Sequence, residues 1–229
     1  MKPLTGKTAV VAGGPSEAVG QPRFAPAGPT RLGFVCDRDG WTNVTVAGPD
    51  GQHGVILAEP HEHSEPSWGP GQRSFAWSPD ARRLAWCRNE AGFGRLVAAA
   101  VPDRAGVGPP AEWSRGWHHG LDWGPGGLAA VRSGARTPPT IVVRAGDPGS
   151  RRVVETAAGA ERLPVDDYVE PRAVSWPGPD GADVPGLLFA PPSATPAVAP
   201  PLLVHVHGGP TDQARAEWSP RVQHFVARG

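Results

Sequence analysis

Two adjacent glycines, Gly208 and Gly209, close the apolar stretch PLLVHVHGGP that runs from Pro201 to Pro210. Because glycine has no side chain, the backbone N–H groups at such a site can approach a reacting molecule closely. Preorganised N–H groups stabilise the negative oxygen that develops during acyl transfer. An isolated Gly-Gly pair can also be a tight turn that leaves a strand. The pair is therefore a candidate oxyanion site whose surroundings must decide between the two interpretations.

The elements on either side of the glycines would position them. The nearly continuous apolar run Leu202–Val206 predicts a strand buried on both faces of a largely parallel sheet. After the glycines, Trp218, Val222, Phe225 and Val226 fall on one face of a predicted helix. Ser219 and Pro220 have the types expected at its N-cap and first position, and Gly229 is the expected C-cap.

A hairpin and a linker are predicted before that run. Val174–Trp176 and Val184–Phe189 flank the turn sequence GPDG at Gly178–Gly181, as in a β-hairpin. The stretch Pro191–Pro201 is rich in Pro and Ala and is predicted to be a linker. The chain therefore reaches the candidate oxyanion site through a hairpin, a linker and a strand.

A weak internal repeat organises the first part of the chain. Phe24, Trp77 and Trp123 each precede a Pro, Gly or Asp turn and then alternating apolar residues. The spacings of 53 and 46 residues are close to the ~40–50 residues of one four-stranded propeller blade. Each unit reads as hairpins that bury one face, for example the alternation of residues 32–36 before the turn Asp39-Gly40. About three stacked blades are expected, with open edges.

Composition narrows the function class. The 22 basic and 22 acidic side chains give a formal net charge of zero, which favours neither a nucleic-acid backbone nor an anionic membrane surface. Gly and Pro together exceed a quarter of the 229 residues, but nine Trp argue against disorder. No stretch reaches the ~18 apolar residues of a membrane span, and no signal peptide is recognisable, so a soluble cytoplasmic protein is expected.

Histidines and cysteines suggest two further kinds of site. His61-Glu62-His63, His118-His119 and His205-x-His207 bring imidazoles together, but none shows the ligand set of a zinc site. Surface loops and a packed strand are the expected setting of these histidines, and residues 61–65 could also face a central propeller opening. Cys36 and Cys87 lie in apolar runs and are expected to be buried free thiols. We expect no metal and no cofactor.

Five stretches of the sequence, one of which contains the two glycines, resemble a known family. They are QPRFAP at Gln21, DRDGWTN at Asp37, EPSWGPGQRSFAWSPD at Glu65, YVEPRAVSWPGPDG at Tyr168 and VHVHGGPTDQARAEWSPRVQHFVARG at Val204. In this order and spacing they resemble the prolyl oligopeptidase family of serine peptidases, specifically its acylaminoacyl-peptidase and dipeptidyl-peptidase-like members. The resemblance covers nearly the whole chain. It favours the oxyanion interpretation of the glycines over a simple turn.

The resemblance implies roles for three residues. Gly209, or Gly208 and Gly209 together, would donate backbone N–H groups to the oxyanion. Other branches of the family place a Tyr hydroxyl where His207 stands, so His207 is expected to fix the loop by a structural hydrogen bond. The complete enzyme would hydrolyse short peptides through an acyl-enzyme, with a propeller that excludes large folded substrates.

The nucleophile is not recognisable in this sequence. An α/β-hydrolase needs a serine on a G-x-S-x-G elbow, then Asp and His, after the oxyanion strand. Nothing after Pro210 fits this pattern, the stretch Gly14–Ala18 lies upstream and lacks the second glycine, and Ser219 is predicted to cap a helix. We therefore expect this chain to be inactive alone, and marginally stable because the strand Leu202–Val206 would lack neighbours.

Together these observations predict a mainly β chain. Residues 1–167 are expected to form a partial β-propeller, and residues 168–229 the first strands and first helix of an α/β-hydrolase domain. Peptides are the expected substrates, and no nucleic acid or membrane is expected to bind. The alternatives are a non-catalytic propeller that serves as an interaction module, and an esterase of the α/β-hydrolase fold.

Overall fold

The computed structural model describes residues 17–48, 53–55, 58–66, 69–102, 108–157, 167–191, 201–209 and 212–228. Fourteen strands and one helix lie within these residues. In chain order they are β1 (Val19–Phe24), β2 (Leu32–Cys36), β3 (Asn43–Ala47), β4 (His53–Val55), β5 (Phe75–Trp77), β6 (Arg83–Glu90), β7 (Phe93–Ala100), β8 (Ala111–Arg115), β9 (Trp117–Gly124), β10 (Gly127–Gly134), β11 (Thr137–Arg144), β12 (Arg151–Thr156), β13 (Arg172–Pro177), β14 (Asp183–Leu188) and α1 (Pro220–Val226).

The predicted repeat corresponds to three four-stranded antiparallel sheets. The first sheet contains β1–β4, the second β5–β8 and the third β9–β12, and in each sheet every strand pairs with the next along the chain. The repeated aromatic residue lies at or near the end of each first strand: Phe24 on β1, Trp77 on β5 and Trp123 on β9. The repeat read from the sequence is thus one antiparallel sheet per unit.

The second sheet packs between the first and the third. One of its faces contributes Phe75, Leu84, Trp86 and other buried residues to a core shared with the first sheet. Its other face contributes small residues and Leu96 to a core shared with the third sheet. Alternating side chains point to opposite faces of a strand, so both faces of the second sheet are buried.

One glycine permits a close approach between the second and third sheets. A Cβ atom on Gly94 would lie 2.6 Å from the Cα of Trp117 and 2.7 Å from its nitrogen. These neighbours are backbone atoms and cannot rotate away. The start of β7 therefore meets the start of β9 at a distance that only glycine allows.

Two arginines connect successive sheets in the same way. Arg31, directly before β2, lies over the ring of Trp77 on the second sheet and donates from Nη2 to Ala81 O at 2.7 Å. Arg83, at the start of β6, lies over the ring of Trp123 on the third sheet and donates to Gly146 O at 2.6 Å. Each arginine thus contacts the repeated aromatic residue of the next sheet.

The predicted hairpin is confirmed, but the buried strand after it is not. β13 and β14 pair in antiparallel register, and Gly181 in their turn has a φ of +79°. Residues 201–208 form no strand, and Leu202 and Val206 are 76% and 79% exposed. The prediction of a buried strand over Leu202–Val206 is wrong for this structure, because no described strand lies beside the run to pair with it.

The helix forms where it is predicted, but its buried side is shifted from the predicted apolar face. Ser219 is the N-cap and accepts a hydrogen bond from Val222 N, and Pro220 follows it, as predicted. Phe225 is exposed, and Gln223 is the buried residue of α1. The predicted face is right for Trp218, Val222 and Val226, which are half-buried, and wrong for Phe225. Hydrogen bonds, described below, hold Gln223 inside. The C-cap is Ala227, and Gly229 lies outside the described residues.

Other sequence predictions have mixed outcomes. Cys36 and Cys87 are buried free thiols, as predicted. Most of the predicted linker, residues 192–200, lies outside the described part of the chain, as do Gly14–Ser16 of the upstream serine motif. Among the described helices, none is long and apolar enough to cross a membrane.

Candidate functional site

The glycine loop, His207–Gly209, lies on the surface. A Cβ atom on either Gly208 or Gly209 would meet no heavy atom within 4 Å, and neither glycine has a positive φ. His207 donates from Nδ1 to the carbonyl oxygen of Gly208 at 2.7 Å. The loop therefore presents open space beside both glycine backbones, and the imidazole is bonded to the loop itself.

The residues that follow the loop dock on the turns of two sheets. In this docking segment, residues 212–218, Ala216 N donates to Gly92 O in the β6–β7 turn at 2.8 Å. Trp218 N donates to Ser133 Oγ on β10 at 3.1 Å, and its ring packs edge-on against Tyr168 at 4.6 Å between centroids. The segment is thus attached to both the second and the third sheet.

Four charged side chains form a closed ring around this attachment. His119 Nδ1 is 2.8 Å from Glu65 Oε1, and His119 Nε2 is hydrogen-bonded to Glu217 Oε1. Arg215 contacts the same two carboxylates, with Nη1 at 2.5 Å from Glu65 Oε1 and Nε at 3.2 Å from Glu217 Oε2. In this charged ring (Glu65, His119, Glu217 and Arg215), each carboxylate therefore contacts both cations.

An aromatic side chain supports both cations of the charged ring. The imidazole of His119 lies parallel to Trp117, at 9° and with 6.2 Å between centroids. The guanidinium of Arg215 lies 5.5 Å from the Trp117 ring centroid. Trp117 Nε1 in turn donates to Gly92 O at 3.1 Å, the carbonyl that also accepts from Ala216. The indole thus connects the charged ring to the docking segment's backbone anchor.

The pKa values of two neighbouring histidines are shifted in opposite directions. Burial acts to lower the pKa of His119, but the hydrogen bonds to Glu217 and Glu65 outweigh it and raise the pKa to about 9. The His119 hydrogen bond is also the main reason that the pKa of Glu65 is lowered. Burial lowers the pKa of His118 to about 3. At neutral pH His119 is therefore an imidazolium and His118 is neutral.

A cleft of about 180 Å³ opens beside the charged ring. Its walls come from residues 62–65 and 70–74, from the start of β9 and from Cys87 on β6. Burial raises the pKa of Cys87 to about 12, so this thiol is not a nucleophile at neutral pH. Polar and apolar surface contribute about equally to the lining, which includes Glu65 and His119 of the charged ring.

The site residues predicted from the sequence do not belong to the cluster of charged side chains that the structure brings together. His207, Gly208 and Gly209 are together on an open loop, whereas the charged ring was not predicted as a site. Surface loops and a packed strand were expected for the histidine clusters: the pair His118-His119 lies on a strand, β9, whereas His205 and His207 lie in no strand. The only sequence signal was the presence of Glu65, Arg215 and Glu217 in stretches that carry the family resemblance, because their contacts span up to 150 residues.

Sequence comparison and structure comparison give different results. Neither the protein-family models nor the curated proteins include a match to this sequence. Among solved structures, puromycin hydrolase matches with a TM-score of 0.79 and 26% identity, over 94% of this chain and 32% of that chain. A puromycin-hydrolyzing peptidase from Mycobacterium tuberculosis matches with a TM-score of 0.76 and 25% identity, over 95% of this chain and 34% of that chain.

More distant structures share the fold. Oligopeptidase B from Trypanosoma brucei has a TM-score of 0.67 and 16% identity, over 93% of this chain and 30% of that chain. The present chain thus spans about a third of the length of the structures that it matches. These structural relatives are serine peptidases of the prolyl oligopeptidase family, and the resemblance to this family that the sequence predicts is confirmed over most of the chain.

Proposed function

We propose that this chain is part of a serine peptidase that hydrolyses short peptides and aminoacyl amides through an acyl-enzyme. The observation that carries the proposal is the open glycine loop in a chain whose fold matches two puromycin-hydrolysing enzymes at about a quarter identity. Puromycin, named in both of those proteins, suggests aminoacyl amides as a substrate class for this one. Short peptides contain the same kind of bond.

In this proposal Gly208 and Gly209 provide half of the oxyanion hole. A serine oxygen, supplied by sequence outside these 229 residues, attacks the scissile carbonyl carbon, and the carbonyl oxygen becomes negative. The backbone N–H groups of the glycines stabilise that charge until the amine leaves with a proton. Water then attacks the ester carbonyl and releases the acid and the serine. His207 fixes the loop through its bond to Gly208 O.

The architecture proposed for the complete protein is a β-propeller joined to an α/β-hydrolase domain, and the three similar antiparallel sheets support the propeller part. The three four-stranded sheets would be blades of a β-propeller within residues 1–167. Residues 168–229 would begin an α/β-hydrolase domain, in which strands outside this chain would cover the exposed apolar run Leu202–Val206. Burial of the apolar side chains of that run would stabilise this assembly, because it removes them from water.

The test compares two substitutions at one glycine in the complete reading frame that contains this sequence. Gly209→Pro removes the N–H donor, whereas Gly209→Ala keeps it, and the structure has room for the added Cβ. Loss of one oxyanion donor lowers kcat by about 10²–10³ in other enzymes. We expect a loss of that order for Gly209→Pro and a loss of less than about fivefold for Gly209→Ala.

The assay measures hydrolysis of aminoacyl 4-nitroanilides and of puromycin, together with labelling by a fluorophosphonate, which reports an activated serine. Equal activity of the two variants would show that Gly209 is not an oxyanion donor. Absence of both hydrolysis and labelling in the unsubstituted protein would reject the peptidase assignment and favour a non-catalytic interaction module.

A further inference from the structure

The charged ring joins parts of the chain that are far apart in sequence. Glu65 lies in the connection between the first and second sheets, His119 lies on β9, and Arg215 and Glu217 belong to the docking segment. We propose that His119 is a positioning residue that, as an imidazolium between Glu65 and Glu217, fixes the docking segment, and with it the glycine loop, on the sheets. Its meaning for catalysis rests on the proposed function, but the attachment itself does not.

Histidine suits this position because both of its ring nitrogens face carboxylate oxygens. Only the protonated imidazole has an N–H on each nitrogen, and the neutral ring would turn a lone pair toward one of the two carboxylates. With His119 protonated, the charged ring contains two cations and two anions, and its net charge is zero. Loss of that proton leaves Arg215 as the only cation for two carboxylates.

The position of the charged ring in the chain links it to the glycine loop. Arg215 and Glu217 flank Ala216, which is buried and donates its N–H to Gly92 O. Gly209 and Arg215 are six positions apart in the sequence, and six residues of extended chain span at most about 20 Å. The place where the docking segment is attached therefore limits where the glycine loop can lie.

The groups around His119 indicate that its own proton controls the pH dependence of the attachment. Besides the charged ring, the titratable groups among the described residues that line the cleft are His118 on β9, Cys87 on β6, and Glu62, His63 and Arg73 on the other wall. Burial lowers the pKa of His63. His118, with its pKa lowered to about 3, and Cys87, with its pKa raised to about 12, are both neutral between these values.

The sign of the pH dependence follows from the raised pKa of His119. Its folded pKa of about 9 lies above the ordinary value of 6.5. The contribution of the His119 proton to the attachment is therefore complete below about pH 6.5, and it is lost as the pH rises through about 9. The His119→Arg variant would keep the positive charge over this whole range, because a guanidinium does not lose its proton.

Hydrogen exchange of the full 229-residue chain tests the proposal. Protection factors of peptides from residues 212–228 are measured by mass spectrometry at about pH 7 and about pH 10, for the unsubstituted chain, His119→Gln and His119→Arg. We expect His119→Gln to lower protection about tenfold at the lower pH. The unsubstituted chain should lose a similar factor at the higher pH, and His119→Arg should keep its protection at both. His224→Gln, an exposed histidine on α1, is the matched control.

Peptides from β6, β7 and β10 in the same samples report global unfolding. If His119→Gln also lowers the protection of these peptides, the variant is globally unfolded. The test of the proposal is then the comparison of the unsubstituted chain with His119→Arg at the two pH values. Unchanged protection of residues 212–228 in a folded His119→Gln chain would overturn the proposal, as would equal pH dependence of the unsubstituted chain and His119→Arg. Neither outcome depends on peptidase activity, so failure of the proposed function is separately visible.

Discussion

The side-chain amide of Gln223 makes both hydrogen bonds with the backbone of Val169 that a neighbouring strand would make. Val169 N donates to Gln223 Oε1, and Gln223 Nε2 donates to Val169 O, each at 2.9 Å. The same nitrogen donates to Ala135 O at 2.9 Å in the β10–β11 turn. Gln223 is only 2% exposed. One polar side chain therefore joins α1 to the third sheet and to the segment before β13.

Replacement of Gln223 by Ala should destabilise the folded chain. The substitution removes three hydrogen bonds and leaves the Val169 and Ala135 backbone groups without these partners. Each buried group left unpaired costs about 1–3 kcal/mol, and partial access of water reduces the sum. We expect the free energy of unfolding to fall by about 2–3 kcal/mol in urea titrations. Arg221→Ala on the exposed side of α1 should change it by less than about 0.5 kcal/mol, and equal effects would contradict this account.

The arginine that precedes β2 gives a second prediction. Arg31 is buried, donates to the carbonyl oxygens of Ala81, Val101 and Pro102, and lies over Trp77. Arg31→Met keeps much of the apolar length but removes every donor, so three carbonyls lose these bonds. We expect a loss of about 2–3 kcal/mol in the free energy of unfolding, measured by urea titration. Arg82→Met, on an exposed arginine, is the control, and a similar loss there would reject a specific role for Arg31.

The sheets were predictable from the sequence because local patterns specify them. Each repeat carries its own aromatic residue, turn and alternating apolar residues, and these short-range signals determine hairpins. The contacts of the two arginines could be predicted from the sequence only in part. Arg31 and Arg83 occupy the same position of the repeat, directly before Leu32 and Leu84. Their aromatic partners in the next sheet could not be deduced before the sheets were seen to stack.

The candidate site was less predictable. Gly208 and Gly209 stand out because an apolar run ends in them, which is a local signal. The run itself gave a wrong strand, because strand formation depends on neighbouring strands that the described chain does not provide. His119 and Glu217 are 98 residues apart, and no local pattern indicates that they meet. The buried Gln223 was missed because an apolar face usually decides which side of a helix is buried.

The neutral, buried His118 gives a prediction for mildly acidic solution. His118 donates from Nδ1 to Gly116 O at 2.8 Å, and within the described residues its buried Nε2 has no partner. Its folded pKa of about 3 lies below the ordinary 6.5, so between these values the unfolded chain binds a proton that the folded chain does not. The contribution to stability is therefore complete above about pH 6.5 and is lost as the pH falls toward 3. The loss approaches about 1.4 kcal/mol per pH unit.

Urea titrations between about pH 6.5 and 4.5 check this prediction, because unfolded carboxylates titrate mainly below that window. His118→Asn keeps a side-chain N–H near the position of Nδ1 but cannot titrate. The slope of its unfolding free energy against pH should therefore be smaller than that of the unsubstituted chain, by about 1 kcal/mol per pH unit. His63, also buried with a lowered pKa, should leave a residual slope. His119 adds little, because it is protonated in the folded chain over this window and increasingly protonated in the unfolded chain as the pH falls below about 6.5. A slope in His118→Asn as steep as that of the unsubstituted chain would mean that His118 takes up its proton without unfolding.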